Sequence, residues 1–329
     1  MKTAFITGIS GQDGSYLSEY LLDLGYRVVG LLRRHSVPEN QTTRIQESMG
    51  NENFILEYGD LLDISSLMGI LNKYEPSEIY HLAAQSHVGI SFTQPVFTAQ
   101  ATGMGTLNLL EAIRLSGLKC KMYNAGSSEM FGNTIDDDGF QRETTPLNPV
   151  SPYGCAKVFS YNLCKNYRNA YDMFISTGIL FNHESPRRGL NFVTNKVAKG
   201  AVDILNKKIS KLHLGNLDAS RDWGHSKDYV KAMHMMLQAD KPGDYVCSTG
   251  VSHTIRELCE VAFSRVGLNW EDHVAVDKKF LRAEELHFLK GDCTKLKTEL
   301  GWEPTYTFEA MINEMVDYWL KLDKQNNKN

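Results

Sequence analysis

No run of apolar residues in this 329-residue sequence approaches the roughly 20 that a membrane-crossing helix requires, which excludes a helical span. Basic surplus is also missing: 35 Lys and Arg stand against 39 Asp and Glu, and no basic patch of the kind that holds nucleic acid is present. Six cysteines (Cys120, Cys155, Cys164, Cys247, Cys259, Cys293) lie scattered through apolar runs. They form neither the close pairs of a zinc site nor the spacing of a disulfide framework, and are read as reduced core thiols. The chain opens straight into a strand pattern, without a signal peptide, so a soluble cytoplasmic protein is the expectation. No internal repeat or low-complexity tract occurs before the polar tail Lys321 to Asn329. With 42% hydrophobic content the chain buries about three quarters of its unfolded surface, enough for one large domain or two fused lobes without a staple.

What is present is alternation. Through residue 180, short apolar runs (3–7, 28–32, 54–58, 78–82, 121–124 and 174–180) alternate with helix-length segments such as 13–24, 64–73 and 96–115. This predicts an α/β fold, a doubly wound parallel sheet with ligands beyond the carboxyl ends of its strands. Beyond about residue 182 the alternation loosens, with helices predicted over 254–267 and 308–321. A smaller α/β lobe is expected there, giving domains 1–181 and 182–329, the second discontinuous and returning segments to the first.

Gly8-Ile9-Ser10-Gly11-Gln12-Asp13-Gly14 sits between the first strand and the first helix, the context that a dinucleotide-binding turn requires. Glycines there bring bare backbone close to a pyrophosphate, and the helix N-terminus meets its charge. The second strand ends in Arg33-Arg34 rather than in the acidic residue that binds the ribose hydroxyls of NAD. Two guanidiniums suit a 2'-phosphate, so NADP is favoured; the plainer reading leaves one Arg to solvate a loop.

Ser151 and Pro152 read as the cap and first position of a helix, placing Tyr153 in its first turn. Lys157, four residues on, shares that face, where its charge is expected to lower the phenol pKa and favour a phenolate base. Ser127, at the end of the preceding strand, is placed to hydrogen-bond a reacting hydroxyl. Tyr161 and Lys165 repeat the spacing but lie two turns deeper and are rejected as catalytic. Hydride transfer needs Ser127, Tyr153 and Lys157; it does not need Glu129. Whether Glu129 is a second base or a solvated surface acid separates a dehydratase from a dehydrogenase.

These motifs resemble the extended short-chain dehydrogenase/reductase superfamily, and within it the GDP-mannose 4,6-dehydratase family. The resemblance spans residues 3 to about 318. It rests on the segment Thr7 to Leu17, on Leu82-Ala83-Ala84-Gln85-Ser86-His87-Val88, on Leu180 to Gly189 and on Leu214 to His225. It implies that Tyr153 takes the proton of the sugar 4-hydroxyl while NADP accepts the hydride, and that Glu129 removes the carbon-5 proton and assists loss of water. The implied cofactor contacts are Gly8, Ile9, Gly11, Gln12, Asp13, Gly14, Arg33, Arg34, Asp60, Leu61, Leu82, Ala83, Ala84, Ser86, Tyr153, Lys157, His183 and Arg188. The implied substrate contacts are Ser86, Ser128, Glu129, Asn182, Val193, Lys196, Arg221, Arg282 and Glu285, with no metal. The resemblance also implies a homotetramer, or at least a homodimer.

Three departures from the family pattern lie where sugar or nucleotide contacts are expected: a longer acidic segment from Asn133 to Gln141, Asn195 in place of a basic residue, and a missing proline near Arg282 to Glu285. They leave the reaction type and open the sugar. A GDP-heptose (GDP-D-glycero-D-manno-heptose) stays an alternative to GDP-mannose. A GDP-sugar 4-dehydrogenase, epimerase or reductase, in which Glu129 is incidental, is a further one.

Overall fold

The structure, a computed structural model, describes residues 1–34, 41–280, 286 and 288–326. In chain order its strands are β1 (Thr3–Thr7), β2 (Arg27–Leu32), β3 (Phe54–Tyr58), β4 (Glu78–His81), β5 (Lys121–Ala125), β6 (Phe174–Leu180), β7 (Asn182–Glu184), β8 (Leu212–Leu214), β9 (Ser220–His225), β10 (Asp244–Cys247), β11 (Ser252–Thr254) and β12 (Val274–Val276). Seven form one sheet in the order β10-β6-β5-β4-β1-β2-β3, every pairing parallel. Both faces are covered, as a parallel sheet requires. In β1 the alternation of side chains divides the core. Ala4 and Ile6 pack with the helices Gln12–Asp23 and Ser226–Gln238, whereas Phe5 packs with Ile64–Tyr74, Gly105–Ser116 and Pro152–Tyr171.

From β1 the chain moves outward to β2 and β3, then returns to β1's other side as β4. The loops after β1 and β4 therefore diverge and open a crevice at the carboxyl ends of the strands. Part of the chain after residue 182 forms a second lobe over that crevice, while β10 and the helix Ser226–Gln238 stay with the first sheet. The second lobe's core joins Val197, Ala201, Trp223, Leu258, Phe263, Met311, Ile312 and Met315 from β9 and the helices Val193–Leu205, Ile255–Ser264 and Phe308–Asn326. A reciprocal capping box between Thr254 and Glu257 starts the second of these helices.

The strand β10, too short to carry a periodic signal, pairs with β6 and so adds a late segment to the first sheet. Two expectations are corrected. The helix expected over 96–115 is three pieces: Pro95–Thr98, a π-helical stretch Ala99–Met104, and Gly105–Ser116. The helix runs on through both joints, and its glycines allow close packing there: a Cβ on Gly103 would stand 3.0 Å from the Phe159 ring and one on Gly105 3.0 Å from Leu61. The chain thus passes close to the helix Pro152–Tyr171, and Thr106 reaches Ser160 at 3.1 Å. Finally, all six cysteines are free, but Cys155 is exposed. Tyr153 and Lys157 take the inward face of their helix, which turns position 155 outward.

Candidate active site

The crevice holds a cavity of about 760 Å³, lined by the carboxyl ends of β1, β4, β5 and β6 on one side and by the second lobe on the other. At its floor Gly8 has φ +76, and a Cβ there would meet Ala83 N at 2.9 Å; one on Gly14 would meet Gly8 O at 2.3 Å. Only bare backbone fits between the turn and β4. Gly11 caps the helix Gln12–Asp23 without a side-chain bond, so the first-turn N–H groups face the cavity with no side chain to satisfy them. That donor set fits the diphosphate of a dinucleotide.

Gly8, Gly11, Gln12, Asp13, Gly14, Arg33, Asp60, Leu61, Leu82, Ala83, Ala84, Ser86, His183 and Arg188, named above as cofactor contacts, all line this cavity. So do Ser127, Ser128, Glu129, Tyr153 and Lys157, and Asn182, Val193, Lys196 and Arg221. Two do not. Ile9 is buried in the core beneath the turn, and Arg34 lies over the Tyr58 ring at 5.4 Å instead of in the cavity. Arg282 and Glu285 lie outside the described residues.

Ser127 ends the turn after β5 and accepts the Glu129 N–H at 3.2 Å, capping a short 3-10 helix, Ser128–Met130. This aims the hydroxyl and the carboxylate from one turn. Ser151 caps the helix Pro152–Tyr171 by accepting the Gly154 N–H at 3.0 Å. Tyr153 follows in the first turn, its phenol turned into the cavity beside the Ser127 hydroxyl. Burial pushes that phenol up to about 12; the Ser127 hydroxyl and the Arg188 charge pull it down, and Glu129 pushes it further up. Lys157 lines the same cavity: its ammonium donates to Ala125 O at 2.7 Å and stands 5.8 Å from the Tyr153 ring centroid, and burial lowers its pKa to about 8. Beneath it His81 is buried and held neutral between Thr7 at 2.8 Å and Thr106 at 3.0 Å.

The cavity roof is a ladder of side chains. His183 Nε2 lies 2.8 Å from Asp13 Oδ2, its Nδ1 faces Phe181 O at 2.8 Å, and its ring stacks on Tyr229 at 4.5 Å. The Arg188 guanidinium covers the Phe192 ring at 3.7 Å and pairs with Glu184 at 3.0 Å. His87 approaches the Phe192 ring at 5.3 Å. Lys196 donates to His213 O at 2.6 Å and sits over Phe280 at 3.6 Å. Among the described residues no group of three or more His, Cys, Asp or Glu is disposed to hold a metal ion, and no helix is long and apolar enough to cross a membrane.

A family model described as GDP-mannose 4,6 dehydratase matches residues 5–315. The chain belongs to this family. It is 50% identical to GDP-mannose 4,6 dehydratase 1 of Arabidopsis thaliana over 332 residues, covering 98% of this chain and 91% of that protein. To the human GDP-mannose 4,6 dehydratase it is 46% identical over 350 residues, covering 99% and 93%. Among solved structures, a dTDP-glucose 4,6-dehydratase from Streptomyces venezuelae with NAD and TYD bound superposes with a TM-score of 0.86 at 22% identity, covering 98% of each chain. RMD from Pseudomonas aeruginosa, complexed with NADPH, gives 0.80 at 23%, covering 98% and 100%. At these identities the structures speak to the fold.

Within the GDP-mannose 4,6-dehydratase family, two of the departures noted in the sequence fall away from the cavity, and the third, near Arg282 to Glu285, lies outside the described residues. Asn133 to Gln141 is folded outward: Arg142 pairs with Asp136, Asp138 and Asp292 at 3.0, 2.6 and 2.8 Å. None of residues 133–141 lines the site, nor does Asn195, which is 1% exposed. Sequence reasoning missed Glu184, His87, Asn191, Phe192 and Trp223 as cavity-lining residues. Glu184 and His87 lay inside motifs already singled out, but nothing in their local spacing distinguishes a lining residue from its neighbours.

Proposed function

We propose that this chain converts GDP-mannose to GDP-4-keto-6-deoxymannose and water, using NADP. The observation that carries the reading is Glu129: a carboxylate on the same turn as Ser127, beside the Tyr153 phenol and inside one cavity. An oxidation alone has no use for it, whereas an elimination needs a second base.

When bound, the nicotinamide supplies hydride chemistry, accepting hydride from carbon 4 and later giving it to carbon 6. The residues of the chain move the protons. Ser127 orients the 4-hydroxyl, and Tyr153 takes its proton as the carbon–hydrogen bond breaks. The resulting 4-ketone acidifies the carbon-5 proton. Glu129 removes that proton and delivers it to the departing 6-hydroxyl, which leaves as water. A proton equivalent to the one taken by Tyr153 returns to carbon 5, so the net change is loss of one water. Lys157, held by Ala125 O, fixes the depth of the helix that carries Tyr153 and places a buried ammonium behind it.

NADP is preferred to NAD because Arg33 borders the cavity just after β2, where a 2'-phosphate would lie. Lys196 and Arg221, with Asn182 and Val193, are assigned to the nucleotide diphosphate. Free cysteines suit a reducing cytoplasm. A homo-oligomer, dimer or tetramer, is supported by exposed apolar side chains on neighbouring helices, among them Val96 at 69% and Phe159 at 44%. Light scattering checks that part.

The reaction is tested by incubating the protein with GDP-mannose and NADP and following the sugar by NMR. A 4-keto-6-deoxy product is expected, and Glu129→Gln is expected to reduce its formation a hundredfold or more, the scale of general acid–base catalysis. Unchanged turnover in Glu129→Gln would sink the assignment.

A further inference from the structure

The segment from Ser185 to Phe192 carries Arg188 to the cavity, and side chains from three separate elements hold its carbonyls. Arg44 Nε donates to Arg187 O at 2.7 Å, Asn195 Nδ2 to Arg188 O at 2.5 Å, and His87 Nε2 to Asn191 O at 3.3 Å. Asn195 differs from the other two. It is 1% exposed, and its amide is used at both ends, because Oδ1 also accepts the Trp319 indole N–H at 2.7 Å. The two partners fix the amide orientation. Flipped, it would set donor against donor at Trp319 and acceptor against acceptor at Arg188.

We propose that Asn195 is a positioning residue for the reaction: by tying the Arg188 main chain to the helix Phe308–Asn326, it holds the Arg188 guanidinium at the reaction centre. This rests on the function proposed above. The guanidinium takes its direction from two partners, Phe192 beneath it and Glu184 beside it. Both contacts depend on where the main chain at 188 stands, and a carbonyl released from Asn195 lets that main chain drift. The charge so held acts on Asp13, His183 and the Tyr153 hydroxyl. Around that hydroxyl Glu129 and Asp13 oppose ionisation, and Lys157, on Tyr153's own helix, is committed to Ala125 O. Arg188 is the cation among these that a loop must hold in place.

The test compares Asn195→Ala, Trp319→Phe, Arg188→Ala and the Asn195→Ala/Arg188→Ala double variant in the full-length protein. Asn195→Ala is expected to move the acid limb of the kcat/KM profile to higher pH by about half a unit, as Arg188→Ala does, because the phenol loses a favourable charge. The double variant is expected to go no further than Arg188→Ala. Trp319→Phe, which cuts the same tie at its other end, is expected to move the limb in the same direction and no further than Asn195→Ala does. In the ligand-free protein, hydrogen–deuterium exchange by mass spectrometry is expected to show faster exchange over residues 187–192 in Asn195→Ala, since the Arg188 and Phe192 N–H groups are bonded within this segment. If Asn195→Ala does not fold, Asn195→Ser removes the same donor reach. A lowered melting temperature with the limb and the 187–192 exchange both unchanged would overturn the proposal, as would a double variant displaced beyond Arg188→Ala. Exchange needs no turnover, so an inactive wild type would count against the reaction and leave the positioning result readable.

Discussion

His183 Nε2 stands 2.8 Å from the Asp13 carboxylate, joining the strand that opens the second lobe to the first turn of the cofactor-side helix. Burial works against both charges, yet the mutual attraction and hydrogen bond outweigh it: the imidazole is raised above its ordinary 6.5 and the carboxyl lowered below 3.8. A raised histidine stabilises fully below its unfolded value and loses that contribution as pH rises through the folded one. A lowered aspartate stabilises above its unfolded value and loses it as pH falls. The pair therefore contributes most between pH ~4 and 6.5. Urea unfolding of wild type and Asp13→Asn should differ by about 1–2 kcal/mol more at pH 5.5 than at pH ~8.5. A difference independent of pH would remove the ion pair from the account.

Lys157 gives the opposite sign. Burial lowers its pKa to about 8, so between pH 8 and its ordinary 10.5 the unfolded chain binds more protons than the folded one, and stability rises with pH. The ligand-free wild type should gain on the order of 3 kcal/mol relative to Lys157→Met across that interval. Parallel stability curves would mean that the ammonium is better solvated than its surroundings indicate.

Glycines divide by what surrounds them. A Cβ on Gly14 would stand 2.3 Å from Gly8 O and 2.7 Å from Ile9 Cα, whereas one on Gly25 would meet nothing within 4 Å. Gly14→Ala should cost about 2 kcal/mol or more and weaken NADPH binding tenfold or more, because the cradle itself must move. Gly25→Ala, with φ +78, should cost only about 1 kcal/mol and leave binding intact. Thermal midpoints and NADPH fluorescence titrations measure both, and equal binding losses would contradict the cradle.

Arg33 and Arg34 were expected to act together, but the cavity is lined by Arg33 while Arg34 lies over Tyr58. Arg33→Ala should weaken NADP about tenfold or more and NAD less than threefold, the difference that one bidentate phosphate contact makes. Calorimetric titration of both cofactors tests this. Equal losses would assign Arg33 to something other than the 2'-phosphate.

Much of this site is written in short-range patterns. The strand–glycine–helix junction, the Ser151-Pro152 cap and the four-residue step from Tyr153 to Lys157 are local, so periodicity and capping chemistry reveal them. What the sequence hides depends on contacts distant in the chain. Asp13 meets His183 across 170 residues, and Lys157 turns to Ala125 O because β5 happens to end there. Arg34 turns from the cavity to Tyr58 on a neighbouring strand. The π-helical stretch Ala99–Met104 and its close passage by Phe159 and Leu61 are encoded by no helical pattern.

The central claim is that one cavity removes a hydride, eliminates water and returns the hydride, with Glu129 as the second base. GDP-mannose deuterated at carbon 4, turned over with catalytic NADP and read by NMR, tests it most directly. The account predicts a 4-keto-6-deoxy sugar carrying the deuterium on carbon 6, with no net reduction of cofactor. Deuterium accumulating in reduced cofactor, or returning to carbon 4 with the 6-hydroxyl intact, would contradict it.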